Sequence, residues 1–330
     1  MATINDVAKA AGVSAATVSY VLNGKEGVGE ENRKKILEIM KKMDYTPRQE
    51  ARNLSSKSSN LIGLLTTDIS NPYNMEFLKH TEAAARRHGK QIMLICSQDD
   101  PEKEGTAIDT FIAQNVCGLI ICPGAYSSGE NFEIGLKKLH KKGIAVVFFY
   151  YLYENEMCIF PDLKNGEYRL VREIMQKGFR KAAFFGGPLG DYYTRLRYEG
   201  FENAISENAE YEGEYFDCGH AISFDCGTRS IEAYMRGNKL PEVIFCVNDE
   251  LAYGVIKGLK RHGVRVPEDV SVVGFDGIKG LVLDDVRLTT AVIPVQKMCN
   301  RGVEMLLGGG SEREIFQVST SCGNTVKGMQ

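Results

Sequence analysis

Six polar residues stand where apolar runs end, and their types suit one kind of chemistry. Asp276 follows Val272-Val-Gly-Phe275, Asn248 and Asp249 follow the run 243–247, and Asp162 follows Ile159-Phe160-Pro161. Arg195 and Arg197 flank Leu196 shortly after Gly186-Gly187. A carboxylate, an amide and a guanidinium brought together give planar, directional hydrogen bonds to vicinal hydroxyls. Asp249 reads rather as a cap on the helix that follows it. Nothing comparable supports turnover. The sequence has no Gly-x-Gly-x-x-Gly after its first strand, no Walker lysine loop and no Gly-x-Ser-x-Gly elbow. Its five histidines, His80, His88, His140, His220 and His262, fall mostly at solvated helical spacing. The nine cysteines form no Cys-x-x-Cys pair and have no histidine at metal-ligand spacing. The reading is therefore binding, with no catalytic residue, no metal and no cofactor.

The elements that must position these residues alternate in a simple way. Short apolar strands at 61–65, 91–96, 117–122 and 144–149 are separated by amphipathic helices at 75–88, 106–114 and 133–142. The pattern then restarts, with strands at 181–185, near Tyr215, 243–247 and 270–275, and helices at 170–177, 198–208, 226–235 and 251–262. Repeated βα units with apolar strands give parallel sheets buried on both faces. Two doubly wound halves place their ligand-facing loops at the carboxyl ends of the strands, across a cleft. The chain is expected to cross between halves near Phe160-Pro161 and to return near Ala291, with 293–308 completing the first half. Tyrosines of the run Phe148-Phe-Tyr-Tyr-Leu-Tyr153, together with Tyr192 and Tyr193, are candidates to stack on an apolar sugar face or a planar base.

The first 58 residues are different in kind. Thr3 with Asp6 three residues later forms a capping-box start, and Ile4, Val7, Ala8 and Ala11 follow at helical spacing. Gly12 closes that helix and Ser14 caps a second one running from Ala15 through Leu22. A third helix, about 30–43, offers Ile36, Leu37, Met40 and Met43 as cover. Two short helices joined by a tight turn make a helix-turn-helix, whose second helix enters the major groove. After Tyr45-Thr46-Pro47 comes a polar, helix-compatible stretch with only Ala51 and Leu54 apolar. It is too short to be stable alone in water. Folding on DNA, with Leu54 wedged between base steps, would account for it.

Charge and length agree with this division. The net charge of −3 is uneven: residues 1–58 count to +3 and the rest to −6, so one end suits a polyanion. At 330 residues, 43% hydrophobic and 25% charged, the chain has ordinary globular composition with room for more than one domain. It lacks an 18-residue apolar span and begins without a secretion signal, so a cytoplasmic protein with no membrane partner is expected.

The motif Thr3-Ile-Asn-Asp-Val-Ala-Lys-Ala-Ala-Gly-Val-Ser14, then Thr17-Val-Ser19, Val21-Leu-Asn23, Tyr45-x-Pro47 and Ala51-Arg52-x-Leu54, resembles the opening of LacI-family transcription regulators. The resemblance continues to about residue 300 without an insertion in the head. It implies a three-helix DNA-binding headpiece at 1–46, a hinge helix at 47–58 and an effector-binding, dimerising core at 59–330. The core would resemble periplasmic sugar-binding proteins, with one subdomain at about 60–160 plus 291–318 and the other at about 161–290 plus 319–330. Carried over residue by residue, Ala15, Ala16 and Tyr20 would read bases, while Thr17, Ser19 and Asn23 would mostly hold backbone. Asn5, Ser14 and Arg52 would join that interface, and Ala51 and Leu54 would occupy the minor-groove hinge. Tyr73, Asp162, Arg197, Asn248 and Asp276 would bind the effector. Tyr20 replaces the usual arginine, Arg48 a frequent asparagine, and Ile222 a tryptophan found before Ser-x-x-x-Gly in some sugar-responsive members. The expected protein is a homodimeric repressor on near-palindromic double-stranded DNA, controlled by a carbohydrate-like small molecule.

Overall fold

The computed structural model describes residues 2–22, 27–45, 59–98, 100–122, 130–153, 155–280, 283, 285–308 and 313–329. Asn23, Pro47, Arg48, Ala51, Arg52 and Leu54 lie outside the described residues, and with them the expected hinge helix. The chain divides into two compact units, residues 1–59 and 60–330.

The first unit has three helices, α1 (Ile4–Ala11), α2 (Ala15–Leu22) and α3 (Glu30–Lys42). Thr3 and Asp6 make the full reciprocal capping box, and Gly12 stops α1 in the left-handed region at φ 71°. Thr17 N–H donates to Ser14 Oγ at 3.1 Å, which starts α2. Val7, Ala8, Ala11, Val18, Val21, Ile36 and Met40 form the small shared core. Leu37, expected to help cover it, is instead 51% exposed. It lies one position, about 100° of helical arc, beyond Ile36, and the narrow core takes only one residue of that pair.

The second unit is built on two six-stranded sheets. Its strands are β1 (Leu61–Thr66), β2 (Gln91–Cys96), β3 (Gly118–Ile121), β4 (Ala145–Phe149), β5 (Met157–Pro161), β6 (Lys181–Gly186), β7 (Glu212–Asp217), β8 (Val243–Cys246), β9 (Ser271–Asp276), β10 (Thr289–Val292), β11 (Arg313–Phe316) and β12 (Ser319–Ser321). Between them run α4 (Pro72–Arg87), α5 (Pro101–Ala113), α6 (Glu130–Lys141), α7 (Leu163–Met175), α8 (Tyr192–Ser206), α9 (Phe224–Gly237), α10 (Asp249–Arg261) and α11 (Val295–Leu306). The strand orders are β11-β5-β4-β3-β1-β2 and β12-β10-β9-β8-β6-β7. Pairing is parallel throughout except between β10 and β12.

Both sheets reverse their strand order beside their first strand, between β1 and β3 and between β6 and β8. Such reversals splay the following loops apart and leave a crevice at the strand ends. The chain crosses between sheets at Asp162, Ile293-Pro294 and Gln317-Val318. Ala291, the expected point of return, is still inside β10, paired with Phe275 of the second sheet. The return comes after Val292, because β10 must complete its ladder against β9 before Pro294 can break it.

Candidate functional site

Polar side chains carried by both sheets meet in one cleft. Thr67, Asn71, Tyr73 and Asn74 come from the end of β1 and the first turn of α4, and Tyr150 from the end of β4. Tyr193 and Arg197 come from the first turns of α8, Asn248 from the end of β8, and Asp276 from the last residue of β9. They enclose about 180 Å³. That is below the ~300–1,000 Å³ of drug-sized sites and fits a single ring.

Arg197 is the centre of the site. Asp191 caps α8 by accepting from Thr194 N–H, which fixes the helix start and sends Arg197 inward two turns on. Its Nη1 donates to the Val247 carbonyl at 2.6 Å and its Nη2 to Asp276 Oδ1 at 2.9 Å. The guanidinium lies 4.3 Å from the centre of the Phe275 ring, in cation–π contact. Burial pushes the Asp276 carboxyl up to about 6, against the pull of Arg197.

Two neighbours of the cavity hold backbone conformations uncommon for their type, Asp276 at φ 117° and Tyr150 at φ 68°. Tyr150 is buried, and its hydroxyl is hydrogen-bonded to that of Tyr73. Its ring meets those of Tyr73 and Tyr193 edge-on, with centroids 5.8 and 5.9 Å away. Three tyrosines thus form one wall, and the Arg197–Asp276 pair with Asn248 forms the other.

Asn248 Oδ1 accepts from Leu251 N–H at 2.9 Å, so it is Asn248 that caps α10. The same side chain lines the cavity. Asp249, expected as that cap, is instead a buried brace. It accepts from Thr290 Oγ1 at 2.5 Å and from Ile278 N–H at 2.7 Å, and burial pushes its carboxyl up to about 8. It thereby ties α10 to β10 and to the loop that follows Asp276.

Of the five residues expected at the effector site, Tyr73, Arg197, Asn248 and Asp276 line the cavity and Asp162 does not. Asp162 sits at a crossing between the sheets, ahead of α7, where it accepts from Asn165 Nδ2 at 2.9 Å and faces Arg169 at 3.8 Å. Its place at the end of β5 is right for a ligand, but β5 stands two strands away from the order reversal. Arg195 is exposed and stacks on Tyr192. Sequence reasoning did not select Thr67, Asn71 or Asn74. Asn71-Pro-Tyr carried the available signal, since an asparagine before proline marks a helix start where a strand loop ends. The Asn71 side chain does accept from Tyr73 N–H at 2.9 Å.

On the first unit, Asn5, Ala16 and Tyr20 are exposed, Tyr20 by 47%, while Ala15, Thr17 and Ser19 are half-buried. Ala16 and Tyr20 are four apart and share one face of α2. Ser14 Oγ and Thr17 Oγ1 are 2.8 Å apart at the start of that helix. A solvent-facing helix start of small and hydroxyl side chains is shaped to approach a duplex closely.

Among the described residues, no helix is long and apolar enough to cross a membrane, and no three metal-ligating side chains gather. All nine cysteines are free thiols.

Comparison with known proteins agrees with this geometry at both ends of the chain. The family described as "Bacterial regulatory proteins, lacI family" matches residues 3–48, and "Periplasmic binding protein-like domain" matches residues 171–320. The HTH-type transcriptional repressor PurR of Haemophilus influenzae (strain PittEE) is 30% identical over 307 residues, spanning 93% of this chain and 90% of that one. Its counterpart in Histophilus somni (strain 129Pt) is 29% identical over 323 residues, 96% of each chain. Among solved structures, the lac repressor dimer bound to operator and the anti-inducer ONPF superposes with a TM-score of 0.84 at 24% identity, covering 98% of both chains. That last likeness speaks for the fold.

Proposed function

The chain belongs to the LacI family of bacterial regulatory proteins, and from that premise we propose that it is a repressor whose grip on operator DNA is set by one small polyhydroxylated ring in the cleft. Members of this family are DNA-binding repressors and not enzymes. The observation that carries the reading is the meeting of both sheets' reversal points on one cavity, in a chain that also carries a capped helix-turn-helix.

In this reading Ala15, Ala16 and Tyr20 face base edges, while Asn5, Ser14, Thr17, Ser19 and Asn23 hold phosphates and backbone. Two copies of the chain bind the two halves of a near-palindromic site, as two-fold symmetry requires. Residues 47–58 form the hinge, with Ala51, Arg52 and Leu54 at the minor groove. Opening a base step there costs a few kcal/mol, recovered through a bent duplex that meets more protein.

The ligand's hydroxyls are taken by Arg197, Asp276 and Asn248, and its apolar face by Tyr73, Tyr150 and Tyr193. Among the described residues that line the cavity, one cation, Arg197, is matched by one carboxylate, Asp276, which suits an uncharged ring. Because the cavity draws on both sheets, a ligand that bridges them favours one mutual angle. It shifts DNA affinity by its differential affinity for the two states, typically ~1–3 kcal/mol. Asp162, at the crossing after β5, lies outside this set of contacts.

The test is selection of genomic DNA fragments by the purified full-length protein at moderate salt, with and without a pool of sugars and nucleosides. Recovery of a palindromic site, weakened or strengthened by one uncharged monosaccharide, is the expected result. Binding that depends on salt but not on sequence would refute the repressor reading.

A further inference from the structure

Near Arg197, and outside the residues that line the cavity, a second carboxylate is sealed inside the protein. Glu167 of α7 is 1% exposed. Its Oε2 has no hydrogen-bond partner among the described residues, and neither has Nε of Arg197. Two buried polar atoms without a hydrogen-bond partner are costly to keep, each by roughly 1–3 kcal/mol. They sit on facing helices that touch backbone to backbone. A Cβ on Gly200 of α8 would fall on the Lys164 carbonyl oxygen and lie 2.9 Å from the Glu167 Cβ. Gly200 is three residues beyond Arg197 and so on the same helix face. Glu167 is therefore packed against α8 one turn from the arginine, and Arg197 is the charged group that acts on it.

We infer that Glu167 is a positioning residue for the cleft: it balances the Arg197 guanidinium from the helix side when a ligand takes it from Asp276. The inference rests on the reading that the cavity holds the effector. In the ligand-free protein Arg197 is already paired with Asp276, and burial pushes the Glu167 carboxyl up to about 8, so Glu167 holds its proton near neutrality. A ligand whose hydroxyls come between Arg197 and Asp276 separates the two charges, so the guanidinium's pull on Glu167 is less opposed. Glu167 then releases its proton, and the arginine keeps its aim because its charge is matched again. Of the other groups nearby, the Cys246 thiol on β8 is pushed well above its ordinary range, and Asp249 couples to Asp276 and not to Glu167. The Lys164–Glu199 and Arg172–Glu207 pairs lie at the exposed rim of the same two helices.

The experiment follows the Arg197 Nε–H resonance by nitrogen-15 NMR in the full-length, ligand-free protein across pH, with the resonance assigned by its loss in Arg197→Lys. The wild type is expected to shift in two steps, one below and one above neutrality. The isosteric Glu167→Gln should lose the upper step and keep the lower one, which belongs to Asp276. Asp276→Asn should lose the lower step and move the upper one down by at least one pH unit, a tenfold change in proton affinity. A wild type with no upper step overturns the inference without any variant, as does an upper step that survives Glu167→Gln or stays in place in Asp276→Asn. A normal effector response in Arg197→Lys would instead refute the effector reading of the cavity, which these ligand-free titrations do not depend on.

Discussion

The Arg197 guanidinium lies over the ring of Phe275, 4.3 Å from its centre, and Phe275 is the residue just before the carboxylate that the same arginine holds. The end of β9 thus grips the guanidinium by face and by edge at once. An arginine so held loses little further freedom on meeting a ligand, since its planar fork is already oriented. That economy has a structural consequence. The two members of the pair are 9% and 7% exposed, so the contact proposed to recognise the ligand is also part of the fold.

Asp276→Ala should therefore do two things. It should abolish the effector response, and it should destabilise the core by at most about 3–5 kcal/mol, because Arg197 loses its paired carboxylate while keeping the Val247 carbonyl and the nearby Glu167. Asp276→Asn keeps the shape and one acceptor and should cost less, while still losing the response. Urea unfolding of the three proteins, read beside their operator affinity with and without effector, checks both statements. Equal unfolding midpoints for all three would show that the pair does not contribute to stability.

Three buried acids also set a direction for pH. Burial pushes Asp276 up to about 6 and Asp249 and Glu167 up to about 8, from ordinary values of 3.8, 3.8 and 4.5. Between the ordinary and the raised values the native state binds more protons than the unfolded chain, so stability falls as pH rises through that window. Exposed Asp269, held down to about 2 by Arg265, acts oppositely but only below about pH 4. The urea midpoint of the core should be lower at about pH 8 than at about pH 5.5. Asp249→Asn should flatten part of the difference. A midpoint that rises over this interval contradicts the assignment.

The sequence carries most of the fold because its strands are apolar runs with no polar face, which is how buried parallel strands read. It carries less of the site, for a specific reason. Helices α4, α7, α8 and α9 begin earlier than their apolar periodicity, at Pro72, Leu163, Tyr192 and Phe224. Their first turns hold caps and polar groups, some of them lining the cavity, which break the 3.6-residue pattern. Asn71, Asn74 and Glu167 fall in or beside those turns. The edge strands β11 and β12 escaped notice for a related reason. Each has three or four residues with one partner, and a burial pattern too polar to stand out from a loop. Asn248 and Asp276 were legible because strand ends in doubly wound sheets are where polar groups converge, whereas Arg197, in the second turn of α8, stood out from Arg195 through the family resemblance. Asp162 satisfied the same rule on a strand away from the reversal, and that distinction appears only with strand order.

Close helix contact beside the cavity gives a prediction with its own control. A Cβ on Gly254 of α10 would fall on the Phe224 carbonyl and lie 3.0 Å from Gly227 of α9, and one on Gly227 would fall on the Leu251 carbonyl. Gly254→Ala must push the helices apart and should cost about 1–3 kcal/mol, with a loss of effector affinity because α10 carries Asn248 at its start. Gly237→Ala, at the end of α9 with nothing within 4 Å, should be neutral or stabilising by about 0.4–1 kcal/mol. Thermal melting distinguishes them. Equal effects would mean that the helices do not meet through these glycines.

At the other end of the chain, Tyr20 makes a prediction about information and not affinity. Its side chain is 47% exposed, on the same face of α2 as exposed Ala16, in a unit whose core is complete without it. Tyrosine has no fork to match the O6 and N7 acceptors of guanine, whereas arginine has one, worth about 1–3 kcal/mol of discrimination per base. Tyr20→Arg should therefore enrich guanine at one position of each half-site in a selection from random DNA. Tyr20→Ala should flatten preference at that same position while leaving the dependence of binding on salt unchanged, because no phosphate contact is lost. A uniform fall in affinity across all sequences, with an altered salt slope, would place Tyr20 on the backbone and leave base reading to Ala15 and Ala16.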